Sequence, residues 1–181
     1  ITYYETQLKK NGIDVVFEEA NVDTIVKGGY DVAILATGAK VRVPEVKGLD
    51  SKEAIYAMDF LDQGAKTDAQ NIVVVGGGIV GAETALILAE EQGKNVTITT
   101  RSPEFFVSGV MGIAYMTRLA MAGVKNCPKM QLIAIEDGKP VFVGPRGIET
   151  MDVDQVIISS GFIPTFNQID CFSLDNCLIK R

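Results

Sequence analysis

Hydrophobic positions in the middle of the chain change their period in a way that predicts alternating strands and helices. The apolar, β-branched run NIVVV at 71–75 is typical of a buried strand. The stretch AETALILAEEQG at 82–93 predicts a helix that ends at Gly93, and NVTITT at 95–100 predicts the next parallel strand. Together these segments make one strand–helix–strand unit of about 30 residues.

Further helix and strand patterns lie on both sides of this unit. Apolar residues at helical spacing, with glycines at suitable ends, predict helices over 1–11, 51–65 and 110–123. Apolar or β-branched runs predict strands over 13–19, 31–39, 131–136, 141–143 and 155–159. Asp137-Gly138 is a hairpin-turn signal between two of these strands. The order predicts an α/β fold, in which a parallel sheet is flanked by helices and a β-hairpin is added.

Three glycines between the central strand and helix form the pattern G-x-G-x-x-G. In this context the pattern is the fingerprint of a Rossmann-like dinucleotide-binding unit. Gly76 permits the turn out of the strand, Gly78 lets the backbone approach a diphosphate, and Gly81 lets the helix pack closely on the sheet. Amide groups and the dipole at the helix N-terminus then attract phosphate. The alternative is a glycine-rich turn without a ligand. The predicted binding loop comprises Gly76, Gly77, Gly78, Ile79, Val80 and Gly81.

The residues after the second strand bear on which dinucleotide the loop takes. An NAD site expects an acidic side chain here, which accepts hydrogen bonds from the ribose hydroxyls. Instead the strand ends in Thr99 and Thr100, and Arg101 and Ser102 follow. Without the carboxylate a 2′-phosphate is not repelled, and Arg101 with Ser102 offers it hydrogen-bond donors. This favours NADPH over NADH, with a solvated surface cation as the alternative reading of Arg101.

Glu83 follows the last glycine by two residues and is therefore close to the predicted anion site. A carboxylate pointed at the diphosphate would weaken binding, so we expect the side chain to face the nicotinamide end or solvent. The alternative is an ordinary acidic residue in the first turn of a helix, where the dipole stabilises it.

Composition excludes several other kinds of site. The 181-residue chain has a net charge of −6 and no histidine, so we expect no nucleic-acid partner, no imidazole catalysis and no metal site. The uncharged stretch 72–82 is shorter than the roughly 20 residues that cross a membrane. No leader pattern opens the chain, and a cytoplasmic location without a membrane partner is expected. Cys127, Cys171 and Cys177 are interpreted as reduced thiols, with a Cys171–Cys177 disulfide as the alternative.

The order of motifs resembles the pyridine-nucleotide–flavin reductases that have two dinucleotide-binding domains. The matching segments are DVAILATGA at 31–39, VPEVKGLD at 43–50, NIVVVGGGIVGAETA at 71–85 and DVDQVIISSGFIP at 152–164. The opening YYETQLKKNGIDV at 3–15 resembles the C-terminal region of old yellow enzyme-like NADH:flavin oxidoreductases. These include 2,4-dienoyl-CoA reductase and 2-enoate reductase.

The resemblance implies which residues lie near the cofactors. It implies that Glu83 lies towards the junction of nicotinamide and flavin. It also implies two crossings between an FAD domain and an NAD(P)H domain, one beside the flavin dinucleotide and one returning. The residues of these crossings are Ala36, Thr37 and Gly38 for the first, and Ser160 and Gly161 for the second.

The resemblance further implies that the chain is a middle fragment of a larger protein. Residues 70–159 would be the NAD(P)H-binding Rossmann domain, with residues 1–69 and 160–181 as remnants of the FAD domain. FMN and the 4Fe-4S cluster of the subfamily have no counterpart here and would belong to a missing N-terminal region.

The predicted function is that of an NAD(P)H-binding module of a flavin-dependent oxidoreductase, inactive by itself. One alternative is an electron-transfer or regulatory module that holds ADP as a structural nucleotide; another is a fragment of an NADH oxidase or disulfide reductase. The expected partners are the dinucleotide and the remainder of the same polypeptide. Apolar residues along 31–38 also predict self-association of the fragment or disorder within residues 1–50.

Overall fold

The computed structural model describes residues 1–34, 36–105 and 109–165. The chain divides into two compact units, a larger one of residues 39–163 and a smaller one of residues 1–38 with the chain from 164 onward. The smaller unit contains helices α1 (Thr2–Lys10) and α2 (Val22–Lys27). α1 stops just before Gly12, as predicted. α2 begins with a capping box in which Asn21 and Thr24 satisfy each other's backbone amides.

A five-stranded parallel sheet is the centre of the larger unit. β1 (Ala39–Val41) precedes it in the chain, and its strands are β2 (Ala54–Tyr56), β3 (Asn71–Val75), β4 (Asn95–Thr100), β5 (Lys125–Pro128) and β9 (Gln155–Ile158). They are hydrogen-bonded in the order β2-β9-β3-β4-β5. β3 lies between β4 and β9, where Val74 is in register with Ile98 and Ile157. The parallel α/β fold is confirmed.

The helices of the larger unit lie against one face of this sheet. They are α3 (Ala57–Asp62), α4 (Ile79–Leu86), which continues as a wider π-type turn over Ile87–Glu91, and α5 (Gly109–Met121). Ile72 and Val74 of β3 pack into one apolar cluster with Ala85 and Leu119 of the helices. The apolar runs of the strands are therefore explained by burial on both faces.

The second face of the sheet is covered by an antiparallel sheet of three strands. These are β6 (Gln131–Glu136), β7 (Lys139–Gly144) and β8 (Gly147–Thr150). Val73 of β3 packs into the same cluster as Phe142 of β7. Asp137 and Gly138 join β6 to β7 with φ of 49° and 75°, and positive φ at both central residues is the type I′ hairpin turn. The predicted hairpin is confirmed. A last strand, β10 (Phe162–Pro164), pairs with β1.

The strands predicted over 13–19 and 31–39 are wrong. Among the described residues of these two segments only Ala39 is in a strand, and Leu35 lies outside the described residues. Phe17 is 97% exposed and Ile34 is 88% exposed. A strand is stabilised by the strands that pair with it, and none of the described residues pairs with 13–19 or with 31–34. The apolar composition alone was therefore an insufficient signal.

Two element boundaries differ from the prediction. Residues 54–56, expected in a helix, form β2, because Ile55 pairs with Ile157 at the edge of the sheet. The helix expected from residue 82 begins at Ile79, so Gly81 lies inside its first turn. Five short elements were not predicted from the sequence: α2, β1, β5, β8 and β10. Each has three to six residues, which are too few side chains to show a helix or strand period.

Candidate dinucleotide-binding site

Gly76 and Gly81 are required by the packing of the protein itself. Gly76 follows β3 with a φ of 129°, and a Cβ at this position would lie 1.9 Å from the carbonyl oxygen of Ser159. A Cβ at Gly81 would lie 2.0 Å from the carbonyl oxygen of Gly76. The backbone of Gly76 therefore packs directly against the residue that follows β9, and the first turn of α4 packs directly against the backbone of Gly76. These contacts explain both glycines without a ligand.

Gly78 differs from the other glycines of the loop. Its φ is −81°, which other residues adopt, and a Cβ placed there would meet no atom of the described residues within 4 Å. At Gly77, by contrast, a Cβ would lie 2.4 Å from the ring of Phe105. Because neither backbone conformation nor packing requires glycine at position 78, the open space fits a group that approaches the backbone from outside.

The N-terminus of α4 opens beside Gly78. Gly78 is the N-cap residue, no side chain of the described residues caps the helix, and its first turn contains no acidic residue. The first amides of a helix have no partner within the helix, and its dipole adds partial positive charge. This combination suits a phosphate group.

A cleft of about 690 Å³ lies at the carboxyl ends of the central strands. The chain runs from β3 outward to β4 and β5 and then returns to β9 on the other side of β3. Such a change of direction creates the crevice in which open α/β sheets bind ligands. Of the sequence-predicted residues, the structure brings together around this cleft Gly76, Gly77, Gly78, Thr100, Arg101, Ser160 and Gly161.

The segment after β4 forms one end of the cleft. Thr100 is buried, and its Oγ1 accepts a hydrogen bond from the amide of Ser102 at 3.3 Å. The amides of Lys129 and Met130 donate to the carbonyl oxygens of Ser102 and Thr100, at 3.0 and 2.8 Å. These bonds fix the backbone on both sides of Arg101. Arg101 lines the cleft, and the residue is exposed. Ser102 itself is not a lining residue.

Four predicted loop and helix residues lie outside the lining of this cleft: Ile79, Val80, Gly81 and Glu83. Glu83 is exposed, and its Oε1 accepts a hydrogen bond of 2.6 Å from the hydroxyl of Tyr115 on α5. This hydrogen bond is the main reason why the pKa of Tyr115 is raised above its ordinary value. The carboxylate of Glu83 is thus engaged between α4 and α5.

The sequence reasoning missed one wall of the cleft. Arg42, Val43, Pro44, Glu45 and Val46 line it, although this connector was interpreted only as a break in regular structure. The amide of Arg42 donates to the carbonyl oxygen of Gly161 at 2.9 Å, and the hydroxyl of Ser160 donates to the carbonyl oxygen of Arg42. The sequence signal for Arg42 is a basic residue four positions after Gly38.

Ala36, Thr37 and Gly38 belong to the smaller unit. The hydroxyl of Thr165 donates to the carbonyl oxygens of Thr37 and Gly38, at 2.8 and 3.1 Å. The cleft is built from residues 42–161 of the larger unit. Nothing in these contacts tests whether the three residues lie beside a flavin, and that role stays a prediction.

The remaining predictions concern metal sites, membrane segments and cysteines. Within the described ranges, no three His, Cys, Asp or Glu side chains are grouped so that they could hold a metal ion. No helix in the same part of the chain is long and apolar enough to cross a bilayer. Burial is the main cause that raises the pKa of the Cys127 thiol, with Glu149 adding to it. Cys171 and Cys177 lie outside the described residues, and the cytoplasmic location stays a prediction.

Known proteins match this chain over restricted parts of their length. The chain is 34% identical over 99 residues to cinnamate reductase of Clostridium sporogenes, which covers 54% of this chain and 14% of that protein. It is 37% identical over 100 residues to NADH oxidase of Thermoanaerobacter brockii, covering 53% and 15%. The solved complex of 2-naphthoyl-CoA reductase with 2-naphthoyl-CoA matches with a TM-score of 0.71 and 27% identity, over 93% of this chain and 26% of that one.

A family model covers almost the whole chain. It describes the pyridine nucleotide-disulphide oxidoreductases and matches residues 2–174. The matched residues include the Rossmann-like parallel sheet and the glycine loop. The chain belongs to the pyridine nucleotide-disulphide oxidoreductase family.

Proposed function

We propose that this chain is the NAD(P)H-binding part of a flavin-dependent oxidoreductase. The observation that carries the proposal is the open space at Gly78, beside the uncapped N-terminus of α4 in a cleft of about 690 Å³. A diphosphate fits this position, since it would accept hydrogen bonds from amides that the described residues leave uncapped. When bound, NAD(P)H supplies a hydride that a flavin accepts, and the protein binds and orients the cofactors.

The residues after β4 support NADPH as the preferred nucleotide. Neither of the two residues directly after Thr100 carries a carboxylate, and the backbone that presents Arg101 is held by hydrogen bonds to Lys129 and Met130. Arg101 is assigned to the 2′-phosphate, with Ser102 as a second donor. Since ribose hydroxyls find no carboxylate here and a phosphate finds a guanidinium, NADPH should bind more tightly than NADH.

The similarity to cinnamate reductase and 2-naphthoyl-CoA reductase supports the finer assignment to old yellow enzyme-like reductases of unsaturated acids or their CoA esters. In that proposal residues 1–69 and 160–181 belong with an FAD domain, and residues 70–159 form the NAD(P)H domain. FMN and a 4Fe-4S cluster would be held by a part of the polypeptide outside this sequence. The similarity to NADH oxidase favours a second candidate, a reductase that passes electrons to oxygen.

Calorimetric titration of the 181-residue chain with NADPH, NADH and ADP tests the proposal. We expect NADPH to bind at least tenfold more tightly than ADP. Gly78→Ala should weaken NADPH binding about tenfold or more at a small cost in stability, because its Cβ meets no atom of the described residues within 4 Å and alanine is a poorer N-cap than glycine by about 1 kcal/mol. Gly93→Ala is the control outside the loop: its Cβ also meets nothing within 4 Å, and the strain of its φ of 64° should cost about 1 kcal/mol of stability while NADPH affinity stays unchanged.

Two results would contradict the proposal. Equal affinity for ADP and NADPH would indicate a structural nucleotide and not a hydride donor. Unchanged NADPH affinity in Gly78→Ala would show that the nucleotide does not lie on the glycine loop.

A further inference from the structure

The arginines of the larger unit fall into two kinds. Arg118 pairs with Glu90 at 2.5 Å, and Arg146 pairs with Glu149. Arg42 and Arg101, which line the cleft, have no carboxylate of the described residues within 4.0 Å. The two arginines away from the cleft therefore form ion pairs within the protein. The two arginines in the cleft form none with the described residues and can pair with an anionic ligand.

Arg42 is held in place by the strand next to β3. Its amide and carbonyl groups are both hydrogen-bonded to the Ser160-Gly161 pair, which follows β9 closely. Arg101 follows β4, and β9 and β4 lie on opposite sides of β3. Since neighbouring strands are about 4.8 Å apart, β9 and β4 lie roughly 10 Å apart, with β3 and the glycine loop that follows it between them. Arg42 lies beside the residues that follow β9, and Arg101 follows β4.

The charge of the cleft contrasts with that of the whole chain. The protein has a net charge of −6, whereas the charged residues that line the cleft are Arg42, Arg101 and Glu45, a formal sum of +1. Two cations without a protein partner make this cleft locally positive, and an anionic ligand placed between them is attracted to both. A dinucleotide with a diphosphate and a 2′-phosphate offers one anionic group to each guanidinium.

We infer that Arg42 is a further dinucleotide-binding residue, whose guanidinium binds the diphosphate from the β9 side while Arg101 binds the 2′-phosphate. The inference rests on the proposed function and adds to it a division of work between two arginines. Arg42 serves any dinucleotide, and Arg101 distinguishes NADPH from NADH. A planar guanidinium suits a diphosphate because it donates two parallel hydrogen bonds to phosphate oxygens.

The test compares three arginine-to-glutamine variants of the 181-residue chain by calorimetric titration with NADH and with NADPH. Arg42→Gln should weaken both nucleotides by the same factor, about ten- to hundredfold, the usual loss for a charge-assisted hydrogen bond. Arg101→Gln should weaken NADPH alone. Arg146→Gln removes the same charge away from the cleft and should leave both affinities within about twofold, since exposed charges are screened.

The outcomes separate the inference from the proposed function. If the unmodified chain binds neither nucleotide, the proposed function fails and the inference fails with it. If the unmodified chain binds but Arg42→Gln leaves both affinities unchanged, or weakens NADPH alone, only the role of Arg42 is overturned. Arg42→Lys, which keeps the charge but not the fork of donors, should retain part of the affinity, and a melting curve of each variant verifies that it is folded.

Discussion

Residues 39–163 and residues 1–38 contain similar apolar runs that end in different structures. In the larger unit, NIVVV becomes the central strand of a sheet, and Val73 and Val74 are completely buried. In the smaller unit, the runs at 13–17 and 31–34 form no strand, and most of their apolar side chains are exposed. The difference shows that an apolar run becomes a parallel strand only where neighbouring strands and two covering layers are present.

Amide hydrogen exchange should show the largest difference between the two regions. The amides of β3 lie in a paired and buried strand, whereas the amides of residues 14–17 donate to no backbone acceptor of the described residues. Exchange in β3 should therefore be at least about a thousandfold slower. Mass spectrometry of peptic peptides measures both segments in one sample. Equal protection of the two segments would mean that the smaller unit is structured by pairing that its described contacts do not include.

Truncation of one phenylalanine in each region should differ by several kcal/mol. Phe142 is completely buried between the two sheets, so Phe142→Ala should lower the free energy of unfolding by about 3–5 kcal/mol. Phe17→Ala should change it by less than about 0.5 kcal/mol, because the ring is already exposed. Urea titration followed by circular dichroism measures both. A comparable loss from Phe17→Ala would show that its ring is buried in solution, as self-association of residues 1–50 predicts.

Replacing a glycine of positive φ by alanine should lower the unfolding free energy more in the larger unit than in the smaller one. Gly76→Ala adds a Cβ that would lie 1.9 Å from the Ser159 carbonyl oxygen, so we expect a loss of about 2–4 kcal/mol in unfolding free energy. Gly38→Ala meets no atom within 4 Å and should cost only the backbone strain of a φ of 79°, about 1 kcal/mol. The same urea titration compares them. Losses of equal size would mean that the loop at Gly76 relaxes freely.

The pH dependence of the unfolding free energy should show the smallest difference, and it depends on the carboxylate of Asp154. The amides of Asn71 and Gln70 donate to Asp154, at 2.7 and 3.1 Å, and hold its pKa below its ordinary value. The stabilisation by the ionised carboxylate is therefore complete above about pH 4 and is lost as the pH falls through the lower pKa of the folded state. The unfolding free energy of the unmodified chain should decline more steeply below about pH 4 than that of Asp154→Asn.

Asp14→Asn is the matched control for the pH experiment. Asp14 lies in the smaller unit, and the described residues supply no hydrogen-bond donor to its carboxylate. Asp14→Asn breaks no such hydrogen bonds, so it should not reproduce the change expected for Asp154→Asn. If the unfolding free energies of the unmodified chain and of Asp154→Asn declined in parallel at low pH, the hydrogen bonds from Gln70 and Asn71 to Asp154 would not stabilise the protein.

The glycine loop could be predicted from sequence because its causes are local. The turn after β3, the helix start and the next strand lie within 30 consecutive residues, so the spacing of the glycines relative to these elements is visible in a short segment. The hairpin at Asp137-Gly138 was predictable for the same reason. These elements carry their own signals in turn chemistry and in the period of their side chains.

Arg42 could not be predicted because its position depends on a distant contact. One of the hydrogen bonds that hold it joins residues separated by 118 positions in the chain, and the neighbouring strands β1 and β10 are likewise distant in sequence. The false strands at 13–19 and 31–39 arose in the opposite way. Local composition favoured them, but the partners that a sheet requires are not among the described residues.

The two kinds of glycine in the loop give a way to recognise descendants of this protein that have changed their role. Mutation at Gly76 or Gly81 disrupts the backbone whether or not any nucleotide is present, so natural selection on folding alone retains both. In the proposed function, the ligand is the main constraint on position 78, where a Cβ meets no atom of the described residues within 4 Å. A homologue that no longer binds the cofactor would therefore lose the glycine at position 78 first. A bulky residue there, with Gly76 and Gly81 retained, would indicate a protein that keeps the fold without binding the nucleotide.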